Sequence, residues 1–123
     1  MLSYKYRFHG HGSLRYVYKN GQAIRTHFLT LKYTANAHRK HPRFAVVVSK
    51  KILKSAVGRN RIRRRVYEAI RSSGVDEAAP CDVVIIVSSS EILHQPPFEL
   101  KETIADLLTQ AGLYKNVPKT GII

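Results

Sequence analysis

The chain has 123 residues, 44% of them hydrophobic, and carries 21 Lys and Arg against 8 Asp and Glu, for a formal net charge of +13 and a pI near 10.2. That length accommodates one domain burying roughly two-thirds of its unfolded surface, and the apolar content excludes an intrinsically disordered chain despite the charge. A single cysteine, Cys81, excludes an internal disulfide. The longest apolar run, Val83 to Val87, is too short to cross a bilayer, and Met1-Leu2-Ser3-Tyr4-Lys5 lacks the apolar core of a secretory signal, so a cytoplasmic location is expected.

Punctuation at Gly10-His11-Gly12, Asn20-Gly21, Asn36 to Pro42, Ser72 to Pro80 and Gln95-Pro96-Pro97 separates the elements. Residues 13–20 read as a short helix, with Ser13 as its cap and Gly21 in a left-handed stop position; residues 1–12 and 114–123 are expected to be flexible tails. From Ile24 to Thr34 the β-branched and aromatic content predicts a strand. Its core face is Leu29, Leu31 and Tyr33, its opposite face Phe28, Thr30 and Lys32, and a short extra strand near Gln22 to Arg25 also fits. Phe44 to Ser49 reads as a second strand, antiparallel to the first if the intervening turn makes a hairpin, and its unbroken apolar pattern predicts cover on both faces.

Ser55 to Ser72 reads as a helix anchored by Ile62, Val66, Ala69 and Ile70. Asp82 to Ser88 reads as a buried strand, and Phe98 to Ala111 as an amphipathic helix with Leu100, Ile104, Leu107, Leu108 and Ala111 inward, ending before Gly112. The order α-β-β-(β)-α-β-α predicts an α+β fold, one small domain with helices packed on a mixed β-sheet. The strand-helix-strand segment through residues 44–88 implies a crossover between parallel neighbours.

The charge is segregated. Residues 1–71 hold 18 Lys and Arg against Glu68 alone, a net +17, whereas residues 72–123 hold three lysines against seven acids, a net −4. Five arginines fall within the seven residues Arg59 to Arg65. A solvated helix face normally interleaves both signs, and here only Glu68 is at hand, in reach of Arg64 one turn away. Guanidinium forks without carboxylate partners match phosphate oxygens and stack on bases, so the basic half predicts nucleic-acid binding with strong salt dependence. Lys50 and Lys51 add cations just before the helix, and Asn60 is suited either to a local turn or to RNA.

Tyr16, Tyr18, Phe28 and Tyr33, set among Arg15, Lys19, Arg25 and Lys32, are the aromatics beside cations that stacking platforms for unpaired bases require. Of these, Tyr33 reads as core. Six histidines, among them His9, His11, His38 and His41, lack a neighbouring Cys or acid to complete or orient a ligand set, and Asp76, Glu77 and Asp82 form no spaced pair. Neither a metal site nor a catalytic side chain is assigned. Composition alone equally permits a structural RNA-binding protein of the ribosomal kind, and a self-sufficient nuclease is the remaining rival.

Val48-Ser49-Lys50-Lys51, followed by Ala56-Val57-Gly58-Arg59-Asn60-Arg61 and Arg63-Arg64, resembles the signature of bacterial ribonuclease P protein subunits. Leu14, Val17, Tyr18 and Gly21 fall on that family's first-helix pattern, and Leu107-Leu108 with Ala111-Gly112-Leu113 resembles its last helix. The chain departs from the pattern at Leu14, where Phe is usual, and at Ala45, where Gly is common.

The resemblance implies a protein that assembles with a catalytic RNA to remove the 5′ leader of precursor tRNA, with Mg²⁺ bound mainly by the RNA subunit and the substrate. It implies a monomer in a holoenzyme of one RNA and one protein, with no membrane or DNA partner. It also implies a fold like ribosomal protein S5 domain 2, with an unusual left-handed β-α-β crossover. On this reading Lys50, Lys51, Arg59, Asn60, Arg61, Arg63, Arg64, Arg65 and Arg71 meet the catalytic RNA. A cleft between the first helix and the sheet, with Leu14, Arg15, Tyr18, Arg25, Phe28, Thr30 and Lys32, holds the single-stranded leader.

Overall fold

A computed structural model describes residue 7 and residues 11–26, 28–35, 41–73 and 80–112. Its organising element is the strand Cys81–Val87 (β4), a run of Val and Ile buried at six of its seven positions. Such a strand satisfies both edges and covers both faces only from inside a sheet. It pairs antiparallel with Leu29–Ala35 (β2), from Leu29 opposite Val87 to Ala35 opposite Cys81. On its other side it pairs parallel with Arg43–Val47 (β3), from Arg43 opposite Asp82 to Val47 opposite Ile86. Gln22–Arg25 (β1) completes the sheet in the order β1-β2-β4-β3.

Two strand expectations change here. The stretch from Ile24 to Thr34 is not one strand but a hairpin. Thr26 N–H donates to the Leu29 carbonyl at 2.7 Å and its Oγ1 accepts from Leu29 N–H at 3.2 Å, closing the turn that lets β1 fold back on β2. Nor are β2 and β3 hairpin partners. The doubly covered β4 takes the place between them and leaves β3 at the edge, where Arg7 makes an isolated parallel bridge to Phe44. Residue 7 is therefore tied to the sheet and not part of a free tail, while residues 114–123 lie outside the described residues. The parallel β3/β4 pair joined through a helix is as the apolar pattern predicted.

Ala56–Ser72 (α2) begins where Ser55 Oγ accepts from Gly58 N–H at 3.1 Å, and it buries Ile62, Val66, Ala69 and Ile70. Pro97–Gln110 (α3) starts with proline in its first turn, where the missing N–H costs no hydrogen bond, and buries Leu100, Ile104, Leu107 and Leu108. Both stripes join Leu29, Leu31, Phe44, Val46, Val83 and Ile85 in the main core. A short 3₁₀ turn, Ser90–Leu93, precedes α3 and buries Ile92. The first helix, His11–Asn20 (α1), covers the opposite face, where Val17 meets Val84. It starts two residues earlier than expected, and the expected Ser13 cap lies outside the described side chains.

The two helix-ending glycines have different reasons to be glycine. Gly112 has φ +71°, the left-handed stop. Gly21 does not adopt that conformation, contrary to the sequence expectation. Its N–H donates to the Val17 carbonyl at 2.8 Å, and a Cβ there would sit 2.5 Å from the Val17 oxygen and 3.1 Å from that of Tyr33. The Val17 carbonyl at the end of α1 is what excludes a side chain, and β2 crowds the same point. Gly21→Ala is expected to cost about 2 kcal/mol and lower Tm by roughly 8 °C in a thermal melt.

Burial, aided by the adjacent Asp82 carboxylate, pushes the Cys81 thiol up to about 12. The folded state therefore favours the neutral thiol, a stabilisation present below the thiol's ordinary value of 9.0 and lost as pH rises above it. Native protein at pH 8 should resist a thiol reagent that labels denatured protein at once.

Candidate nucleic-acid interface

Strand register sets out the sheet face under α1 in rows. One row crosses Arg25, Thr30, Ile86 and Val47, and the next crosses Ala23, Lys32, Val84 and Ala45. Val17 seals Val84 completely, but α1 lies mainly over β2 and β4. Ala45, Val47 and Ile86 are left half-buried beside Leu14 and Tyr18. Beyond Ala45, Arg43 grips Asp82 through Nε–Oδ1 and Nη2–Oδ2, both 2.9 Å. The result is an open apolar strip running along the edge strand, walled by α1 on one side and stopped by an ion pair at one end.

Lys32 holds that wall in place. Its Nζ donates to the Tyr18 carbonyl at 3.1 Å, near the end of α1, and sits 5.4 Å from the centroid of the Tyr18 ring. Burial pushes the Tyr18 hydroxyl up. Arg15 and Arg25 are exposed, on α1 and β1, and Tyr16 is 59% exposed. Phe28 does not join this group. It precedes β2, packs against the main core, and its carbonyl accepts from Ser88 N–H at 2.7 Å, so it does not share the face of Thr30 and Lys32. Tyr33 is half-buried against the same core, with its hydroxyl donating to Gln22 Oε1 at 3.0 Å.

Across the sheet, the arginines of α2 divide by what they touch. Arg59 Nη1 donates to the carbonyls of Leu53 at 3.0 Å and Lys54 at 2.7 Å, which folds the preceding loop onto the helix start. Arg65 donates to the carbonyls of Leu93, at 2.6 Å, and Gln95. Arg71, not Arg64, pairs with Glu68, its Nε at 2.9 Å from Oε2, and holds that carboxyl well down, at about 2. Arg61, Arg63 and Arg64 make no hydrogen bond or ion pair with the described residues, and Asn60, Lys50 and Lys51 are exposed. Arg63 reaches toward the β3 edge, where burial pushes the Tyr67 hydroxyl up against the opposing influence of the Val46 backbone, Arg7 and Arg63.

The profile described as Ribonuclease P matches residues 2–112. The chain belongs to the ribonuclease P protein family. It is 35% identical over 109 residues to the ribonuclease P protein component of Coxiella burnetii, covering 89% of this chain and 88% of that one. To that of Chloroflexus aurantiacus it is 35% identical over 108 residues, covering 88% and 78%. Its fold matches a solved Staphylococcus aureus RNase P protein with a TM-score of 0.77 at 21% identity, over 89% of this chain and 98% of that one.

The function is therefore that of the ribonuclease P protein component, a subunit of the endoribonuclease that, with its RNA subunit, removes tRNA 5′ leaders. Among the described residues no helix is long and apolar enough to cross a membrane, and no three His, Cys, Asp or Glu side chains come together as a metal site. His9, His38, Asp76 and Glu77 lie outside the described residues.

The resemblance implied a cleft between the first helix and the sheet, but sequence reasoning missed the floor residues Ala45, Val47 and Ile86. The run from Arg43 to Val48 reads as uniformly apolar from Phe44 onward, yet alternate positions differ. Phe44, Val46 and Val48 are buried, while Arg43, Ala45 and Val47 are half-buried on the α1 side. No signal in the sequence separates the two sets, because from Phe44 onward both are apolar. Arg59 and Arg65 were grouped with the RNA-facing arginines because a charge run does not reveal which guanidinium groups face carbonyls. Arg65→Ala is expected to lose about 2 kcal/mol of stability through its two part-buried carbonyl bonds, whereas Arg64→Ala should stay within about 0.5 kcal/mol, both read by urea unfolding.

Proposed function

We propose that the protein divides its two RNA partners between the two sides of its sheet, the precursor's single-stranded 5′ leader lying along the strip beside α1 and the catalytic RNA meeting α2. The observation that carries the first assignment is the half-buried row of Ala45, Val47 and Ile86 beside Leu14 and Tyr18, rimmed by Arg15, Arg25 and Lys32. An apolar floor with an aromatic and cations at its margin suits unpaired bases of any sequence, as a variable leader demands. The observation supporting the second is the set Arg61, Arg63 and Arg64, whose charges have no protein partner among the described residues, with Asn60, Lys50 and Lys51 exposed nearby. Arg63 and Tyr67 at the β3 edge bring the two sites close to one another, so both RNAs meet along β3.

The protein's part is then positional. Cations neutralise phosphates where enzyme RNA and substrate converge, and the fixed strip aligns the leader relative to the cleavage point, lowering the entropy cost of productive binding. The described residues do not fit a Mg²⁺ site. The acids nearest these surfaces are committed, Glu68 to Arg71 and Asp82 to Arg43, so Mg²⁺ belongs to the RNA and the substrate, and no bond-breaking step is assigned to a side chain. One protein acts with one RNA, in the cytoplasm.

A carboxylate on the strip should repel the leader alone. Val47→Glu holoenzyme should bind precursor tRNA about tenfold more weakly, the equivalent of about 1.4 kcal/mol, while leaderless tRNA binds as before; equal loss for both would remove the strip from leader binding. Replacing Arg61, Arg63 and Arg64 together by Ala should reduce the slope of log K against log salt for the catalytic RNA by about 2 to 3. An unchanged slope would overturn the assignment of α2.

A further inference from the structure

We propose that the groove between α2 and α3 is a second RNA contact, taking an unpaired nucleotide of the catalytic RNA with its base stacked on Phe98. The groove has a volume of about 710 Å³, in the range of sites that enclose small ligands. Ala69, Pro97 and Leu100 form its apolar lining, and Arg64 and Lys101 stand at its margin. Phe98 is 67% exposed, an aromatic ring left open to solvent beside that lining. Arg65 fixes the geometry by tying the Leu93 and Gln95 carbonyls to α2, which holds the segment before α3 against the helix.

The chemistry favours a nucleotide. A flat aromatic offers stacking to any base, and Arg64 and Lys101, neither hydrogen-bonded to a described residue, offer charge to its phosphate. The acid in the lining, Glu68, is already met by Arg71. An apolar peptide would fill the floor and leave both cations unanswered. The catalytic RNA is the source because Arg64 belongs at once to the groove and to the outward face of α2, while the leader strip lies on the opposite side of the sheet. The proposal rests on the assignment of α2 to the catalytic RNA.

The chain contains no tryptophan, so Phe98→Trp supplies a lone reporter. Titration with a bacterial ribonuclease P RNA should quench its emission by about twofold or more through base stacking, while Glu102→Trp on the exposed side of α3 should not respond. In parallel, Phe98→Ala should weaken binding of that RNA about tenfold and Phe98→Tyr should retain it. Unchanged affinity for Phe98→Ala, or quenching by precursor tRNA alone and not by the catalytic RNA, would overturn the proposal. Arg61→Ala and Arg63→Ala separate the two levels of the argument. If they weaken RNA binding while Phe98→Ala does not, the groove assignment fails and that of α2 stands; if none of the three does, both fall.

Discussion

Strand β4 is the constraint on which the rest of the molecule depends, because it must bury both of its faces. Val83, Ile85 and Val87 point into the core made with α2 and α3, while Val84 meets Val17 of α1. Each fully buried Val or Ile side chain contributes about 1.5–3 kcal/mol, so one strand anchors two separate layers. Its need for two pairing partners places β2 on one side and β3 on the other. That arrangement leaves β3 at the margin with one face sealed and the other half-open. The strip that suits a leader follows from the central position of β4 and from an α1 too short to span the whole sheet.

Charge is the second organising quantity. A chain with +17 in its first 71 residues is held together partly by spending cations internally. Lys32 ties α1 to β2, Arg43 is held by Asp82, Arg59 and Arg65 satisfy loop carbonyls, and Arg71 meets Glu68. Bonds from guanidinium to carbonyl secure the irregular segments flanking α2, where regular secondary structure supplies no partners. Of the arginines of α2, Arg61, Arg63 and Arg64 are left without a hydrogen-bonded partner among the described residues. A dense basic run thus serves as both internal fastening and external interface.

The features legible in the sequence were those set by local pattern. The α2 stripe of Ile62, Val66, Ala69 and Ile70, the Ser55 start, the buried β4 run, the α3 stripe and the Gly112 stop all follow from periodicity and end chemistry within a few residues. Features fixed by distant neighbours were not legible. The parallel β3/β4 pair was legible, but the separation of β3 from β2 by β4 was not, and Phe28's turn into the core is decided by a turn at Thr26–Leu29 within a stretch that reads as one strand. Gly21 shows the limit well: the residue type was read correctly as meaningful, but its reason is the close approach of the Val17 carbonyl, with that of Tyr33 next, and not a left-handed backbone. Among the site residues, Leu14, Tyr18, Thr30 and Lys32 were grouped by the family resemblance and not by local pattern. Ala45, Val47 and Ile86 were hidden because a half-covered apolar face looks in sequence like a covered one.

The central claim is that this chain supplies placement and charge while the RNA supplies the chemistry. It is tested most directly by cleavage of a 5′-labelled precursor tRNA at low Mg²⁺ with the protein alone, a bacterial ribonuclease P RNA alone, and the two together. The account predicts efficient release of the leader at the mature 5′ end only from the mixture. Cleavage by the RNA-free protein, or a mixture no faster than the RNA alone, would contradict it.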